Sequence, residues 1–178
     1  MISERVNYPT KPLSWYRDNT PLKWDVSDEV CTFVYTADGE QRIDIFKLGA
    51  QKDQVISLKM TQFETLFHIT PMVCSSVRKT CQFKYDLGGM VYITYEEFRK
   101  RWTVNIRQYY INEVGDEAPG KWGVNLAPDV WRIMSRATFK TICKYSHLQT
   151  TSNTLFCYVY RYFVCAEQES KLHECMGG

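Results

Sequence analysis

The sequence predicts an α+β protein: two repeats of a four-stranded antiparallel sheet plus a helix, packed as an intramolecular pseudo-dimer, with an extra C-terminal strand. Three observations predict it. Shifted by 61 residues, residues 22–26 (LKWDV) fall on 83–87 (FKYDL) and 42–45 on 103–106. Past a length difference of seven residues, 55–63 fall on 123–131. Few residues are identical, but the apolar positions keep register, as in a module used twice. Second, short runs of β-branched and aromatic residues alternate with glycine turn signals. Third, each run of strands ends in a segment with helical apolar spacing.

The first 20 residues, with Pro9, Pro12 and many polar groups, form an irregular arm. The first repeat occupies 21–70. It contains a strand from Val30 to Thr36, an Asp38-Gly39 hairpin turn, a strand from Gln41 to Leu48 and a short strand from Val55 to Leu58. Phe63, Leu66 and Phe67 then space a helix from Thr61 to Ile69, and 71–80 form a linker. The second repeat occupies 81–150. Phe83 to Leu87, Met90 to Tyr95 and Trp102 to Ile111 are strands, joined by Gly88-Gly89 and by the segment Phe98-Arg99-Lys100-Arg101. A polar hairpin from Asn112 to Lys121 leads to a short strand, Gly123 to Leu126. Pro128 suits the first turn of a helix, whose buried face is read as Val130, Ile133, Met134, Ala137 and Thr141. Residues 151–178 hold one more strand, Leu155 to Val164, with Tyr158, Tyr160 and Tyr162 on one face, and a polar tail.

Composition narrows the function. No apolar run approaches the ~20 residues that span a bilayer, and the polar start of the chain lacks a signal-peptide core. The expectation is therefore an intracellular, reducing location without membrane contact. Seven cysteines, an odd number with no C-x-x-C pair, fit free thiols. Cys143, His147, His173 and Cys175 match no zinc-finger or ribbon spacing, so neither metal nor cofactor is expected. The three histidines, His68, His147 and His173, lie beside no Gly-rich loop, nucleophile elbow or carboxylate pair, so an enzyme is not expected.

Charge is uneven. Residues 1–75 carry 8 basic and 10 acidic side chains, 76–150 carry 12 and 7, and 151–178 carry 2 and 3. The second repeat therefore points to an anionic partner. On its long strand, Val104 and Ile106 alternate with Arg101, Thr103, Asn105, Arg107 and Tyr109, and Arg99 and Lys100 sit in the preceding turn. Cations neutralise phosphates and flat rings stack on unpaired bases, which is what single-stranded nucleic acid requires. Phe98, Trp102, Tyr109, Tyr110 and Trp122 are the candidate platforms. The competing reading places Trp102 and Tyr110 in the core and leaves 99–101 as a solvated turn.

From Tyr92 to Met134 the chain resembles the single-stranded-DNA-binding domain of the transcriptional coactivator family called positive cofactor four. The resemblance rests on Phe98-Arg99-Lys100-Arg101, Ile106-Arg107-Gln108-Tyr109-Tyr110, Pro119-Gly120-Lys121-Trp122-Gly123 and the run from Val124 to Trp131. It implies curved four-stranded sheets, each followed by a helix, with clefts for single strands. It also implies that Phe98 and Tyr110 stack on bases, that Arg99, Arg101, Arg107 and Lys121 contact phosphates, and that Asn105 and Asn112 support them. Trp122 stands where a second basic residue is usual, and Ala118 where a lysine is common. The first repeat has Ala37-Asp38-Gly39-Glu40 in place of the basic turn and Phe46 in place of Arg107, so one cleft is expected to be degenerate. Arg42, Lys47 and Lys52 remain as backbone contacts there.

The expected function is non-catalytic binding of single-stranded nucleic acid, DNA in the first place and RNA by the same chemistry, in transcription or replication. The expected setting is the nucleus or another site of DNA transcription or replication, in a cell or a virus. The alternative is a protein-interaction scaffold in a transcription or replication assembly. A homodimer through the C-terminal strand is an option for either.

Overall fold

The computed structural model describes residues 22–25, 29–37, 39–49 and 54–145, with side chains for 29–34, 39–40, 42–49 and 54–136. The expected N-terminal arm, Lys52, the C-terminal strand with its three tyrosines, and the thiols of Cys143, Cys157, Cys165 and Cys175 lie outside these residues.

The α+β class holds. Eight strands form one antiparallel sheet: β1 (Leu22–Asp25), β2 (Val30–Ala37), β3 (Glu40–Lys47), β4 (Gln54–Lys59), β5 (Phe83–Gly88), β6 (Val91–Phe98), β7 (Arg101–Ile111) and β8 (Glu117–Leu126). Helix α1 (Met60–Lys79) follows β4 and helix α2 (Pro128–Tyr145) follows β8. The spatial order is β1-β2-β3-β4-β8-β7-β6-β5, two four-stranded meanders joined by their last strands. Backbone register across that seam is a single pair, Val55 opposite Gly123. Side chains reinforce it: Lys47 Nζ donates to the Asn125 carbonyl at 2.7 Å, and the Asn125 N–H donates to Gln54 Oε1 at 2.8 Å.

Strand alternation gives the sheet two different faces. Ile43, Ile45, Ile56, Leu58, Val91, Ile93, Val104, Ile106, Val124 and Leu126 point one way and pack under Phe63, Leu66, Ile69 and Val73 of α1 and Trp131 and Met134 of α2. This core spans both meanders. The opposite face is apolar in the first meander, where buried Cys31, Phe33, Phe46 and Val55 cluster with Trp122, and Phe33 meets Phe46 edge to face at 5.6 Å. In the second meander it is polar.

Several elements depart from the sequence reading. The helix expected to stop at Ile69 runs to Lys79, so most of the expected linker is helical despite Pro71. An internal proline costs about 3 kcal/mol. The apolar face nevertheless continues through Ile69, Thr70 and fully buried Val73, and its burial outweighs that penalty. Gln62 Oε1 accepts the Lys59 N–H at 2.9 Å at the start of α1, and Thr80 ends it in a left-handed conformation (φ 52°). The short strand Gly123 to Leu126 is the last part of ten-residue β8, and β6 extends to Phe98. Among the described side chains of α2, Trp131, Met134 and Ser135 are buried, and those of Ala137 and Thr141, also expected inside, lie outside the described residues. Ile133, expected inside, is 49% exposed, and Val130 is half-buried.

Candidate nucleic-acid interface

On β7, buried Val104 and Ile106 hold the strand to the core, which turns Arg101, Thr103, Asn105 and Arg107 to the open face. Register then assembles the rest. Thr94 lies opposite Asn105, Tyr92 opposite Arg107, and Phe98 opposite Arg101. Asn125 and Gly123 of β8 flank Asn105 and Arg107 from the other side. The open face therefore carries Lys84, Tyr92, Thr94, Glu96, Phe98, Arg101, Thr103, Asn105, Arg107 and Asn125. Asn125 Nδ2 donates to Asn105 Oδ1 at 2.7 Å and to Thr103 Oγ1 at 3.2 Å, so Asn105 belongs to a fixed polar ladder.

Arg107 is half-buried and donates from Nη1 to the Gly120 carbonyl at 2.8 Å. The two glycines of the P-G-K-W-G run explain how it fits. A Cβ on Gly123 would stand 2.8 Å from the Ile106 carbonyl oxygen and 2.9 Å from Arg107 Cβ, and one on Gly120 would stand 2.7 Å from the Gln108 oxygen. Pairing resumes at Tyr109 and Pro119, so β8 spends two more residues than β7 over this stretch. Lys121, in the resulting arch, is exposed and lies 5.0 Å from the Trp122 ring.

Phe98 is 58% exposed, with the Arg99 guanidinium 5.2 Å from its ring. Arg99 (φ 50°) and Lys100 (φ 63°) form the β6–β7 turn, both in the left-handed region that glycine or asparagine normally fills. Tyr110 is 52% exposed and nine residues along β7 from Arg101, the cross-strand partner of Phe98. At the usual strand rise the two ring positions are separated by about 30 Å.

The other aromatic candidates are engaged. Trp102 packs on the core, 4.9 Å from Tyr95. Trp122 is half-buried against the first meander's apolar cluster. Tyr109 meets Tyr92 edge to face at 4.9 Å. Asn112 shapes the hairpin loop: its Oδ1 accepts the N–H groups of Val114 and Asp116. In the first meander Lys47 serves the seam, and Arg42 lies 3.8 Å from Glu40.

Lys84, Tyr92, Thr94, Glu96 and Asn125 of this face escaped the sequence reading. Lys84 Nζ lies 4.4 Å from the Tyr92 ring centre and 5.0 Å from that of Tyr109, and 3.7 Å from Glu117. The Tyr92 hydroxyl donates to Glu117 at 2.8 Å, a bond that pushes its pKa up to about 12. Burial, followed by the nearby Glu96 carboxylate, raises that of Tyr109. Glu96 itself, accepting from Thr94 Oγ1 at 3.0 Å, puts a negative charge among the cations. Strand alternation through Lys84, Tyr92 and Glu96 was the available signal, but it required the β5–β6–β7 register.

Residues 85–137, from β5 into α2, match the model of the family described as Transcriptional Coactivator p15 (PC4). That family is known for single-stranded DNA binding and transcription coactivation.

Proposed function

We propose that the chain binds single-stranded nucleic acid, DNA in the first place, along the open face of β5–β8 and acts through that binding in transcription or replication rather than through catalysis. The observation that carries the reading is one cross-strand path. It runs from exposed Phe98 and the Arg99–Arg101 turn, past Asn105 and Arg107, to Lys121; Tyr110, exposed near the far end of β7, alternates to the other side of the strand from Arg107. Cations along the path take phosphates, and the Phe98 ring takes a base. The family match over 85–137 supports the same ligand and a nuclear or DNA-associated setting. No helix among the described residues is long and apolar enough to cross a membrane.

We further infer that the two meanders are diverged copies of one module. The strand order is symmetric about the β4–β8 seam, and each meander is followed by a helix on the same side. In this pseudo-dimer only the second copy keeps a binding face.

The scaffold reading has one observation in its favour. Residues 81–127, which form the second meander, carry six basic and six acidic side chains. Fluorescence anisotropy with a labelled strand of ~20 nucleotides and its duplex, at two salt concentrations, separates the readings. Salt-sensitive preference for the single strand is expected. Absence of binding at low salt leaves the scaffold.

A further inference from the structure

We propose that the helical layer is a second nucleic-acid surface, which takes the phosphate backbone of duplex flanking the single strand. Its first support is where the charge lies. The sheet segment 81–127 is electrically balanced, so the whole excess of five positive charges in residues 76–150 belongs to the helices: Arg78, Lys79, Arg132, Arg136, Lys140 and Lys144 against Asp129. These helices cover the face of the sheet opposite the open face.

The second support is arrangement. Arg132 and Arg136 are exposed on α2, one turn apart, and the sequence continues the four-residue spacing with Lys140 and Lys144 inside the same helix. Four residues advance a helix by about 6 Å, so Arg132 and Arg136 set two cations one such step apart, and Lys140 and Lys144 follow in the same helix. Arg78 and Lys79, in the last turn of α1, are also exposed. The two helices pack against each other; burial raises the pKa of the Cys74 thiol of α1, while Trp131 and then the charges of Arg78, Arg136 and Arg132 lower it.

Exposed cations on both helices suit a polyanion whose charges repeat along its length. An acidic protein segment would also need apolar anchors in a pocket. The described face of α2 offers one exposed apolar side chain, Ile133.

The test compares a single strand with the same strand extended by a duplex. It uses the full chain and the variant R132Q/R136Q/K140Q/K144Q. Glutamine is a good helix former, and R132K/R136K serves as the charge-retaining control. The variant should bind the single strand as the parent does. On the extended ligand it should lose affinity at low salt, with the log–log salt slope shallower by about 3. The lysine control should behave like the parent. Equal binding of both ligands by parent and variant overturns the proposal. So does helix-dependent binding of polyglutamate without any helix-dependent binding of duplex, which reassigns the surface to an acidic protein. F98A/R107A separates the two sites: if it leaves single-strand binding intact, the open-face reading fails while the helical surface stands or falls on its own arm.

Discussion

Phe46 and Arg107 stand in one cross-strand row, one on each side of the seam. The row runs Cys31, Phe46, Val55, Gly123, Arg107, Tyr92 across six strands. Left of the seam it is apolar and buried; right of it, a glycine makes room for the stem of the Arg107 side chain, and Tyr92 follows across β6. Truncating the two residues should therefore have opposite effects. Phe46→Ala should destabilise the fold by about 3–5 kcal/mol in chemical denaturation. Arg107→Ala should leave the midpoint nearly unchanged but weaken single-strand binding and flatten the salt slope by about 0.7, the share of one phosphate. An Arg107→Ala variant with the parent's affinity and slope would remove this residue from the interface.

The sequence made much of this row legible and hid the rest for physical reasons. Alternation on β7 separated Val104 and Ile106 from Asn105 and Arg107, and the glycine turns set the hairpins. The helical continuation past Pro71 was missed because a proline reads as a stop, whereas here burial of Val73 sustains the helix. Trp122 read as a stacking platform because the apolar cluster it packs against, Cys31, Phe33, Phe46 and Val55, lies in the other meander and comes close only through the seam. The sequence alone assigns the positive charge of residues 76–150 to the second repeat as a whole. Only the assignment of 71–79 and 128–145 to helices shows that the strands are balanced.

Phe98 should contribute to binding without contributing to stability. It is mostly exposed at the end of β6, and its ring contacts a side chain that is itself in a surface turn. Phe98→Ala should lower single-strand affinity by about 1–3 kcal/mol, the range for one base–aromatic stack. The denaturation midpoint should stay within error of the parent. Loss of stability in parallel with affinity would show that the ring is structural.

Glu96 should work against the ligand. Its carboxylate shares the open face with Arg101 and Arg107 and repels phosphate in the free protein. Glu96→Gln keeps the shape, keeps an acceptor for Thr94 Oγ1 and removes the charge. Single-strand affinity at low salt should rise, and the gain should shrink as salt screens it. A variant that binds more weakly would instead assign Glu96 a positioning role on the ladder.

Thiol reactivity reports on burial within the described residues. Cys31 is buried, Cys74 is half-buried with a pKa raised chiefly by desolvation, and Cys81 is exposed. A raised pKa means less thiolate at any given pH, and thiolate is the reacting species. Alkylation at neutral pH, followed by peptide mass mapping, should modify Cys81 first, Cys74 much more slowly and Cys31 last. Early modification of Cys31 would contradict the closed apolar face of the first meander.

The Arg99–Lys100 turn sets stability against binding. A two-residue hairpin turn with both residues at positive φ is the geometry for which Asn-Gly is best suited, and the first meander keeps glycine in the matching turn, Gly39 at φ 79°. Two long side chains in that geometry cost about 1–2 kcal/mol each relative to a residue at ease there. They persist beside exposed Phe98, where each supplies a cation to the proposed strand path. Arg99→Asn with Lys100→Gly should therefore raise the denaturation midpoint while lowering single-strand affinity and flattening its salt dependence. The double variant Arg99→Asn/Lys100→Asn keeps residues that tolerate positive φ but removes both charges, so it should lose the same binding. If the Asn-Gly variant gains stability and binds as tightly as the parent, the two cations are ornaments of a solvated turn and the phosphate contacts lie elsewhere on the face.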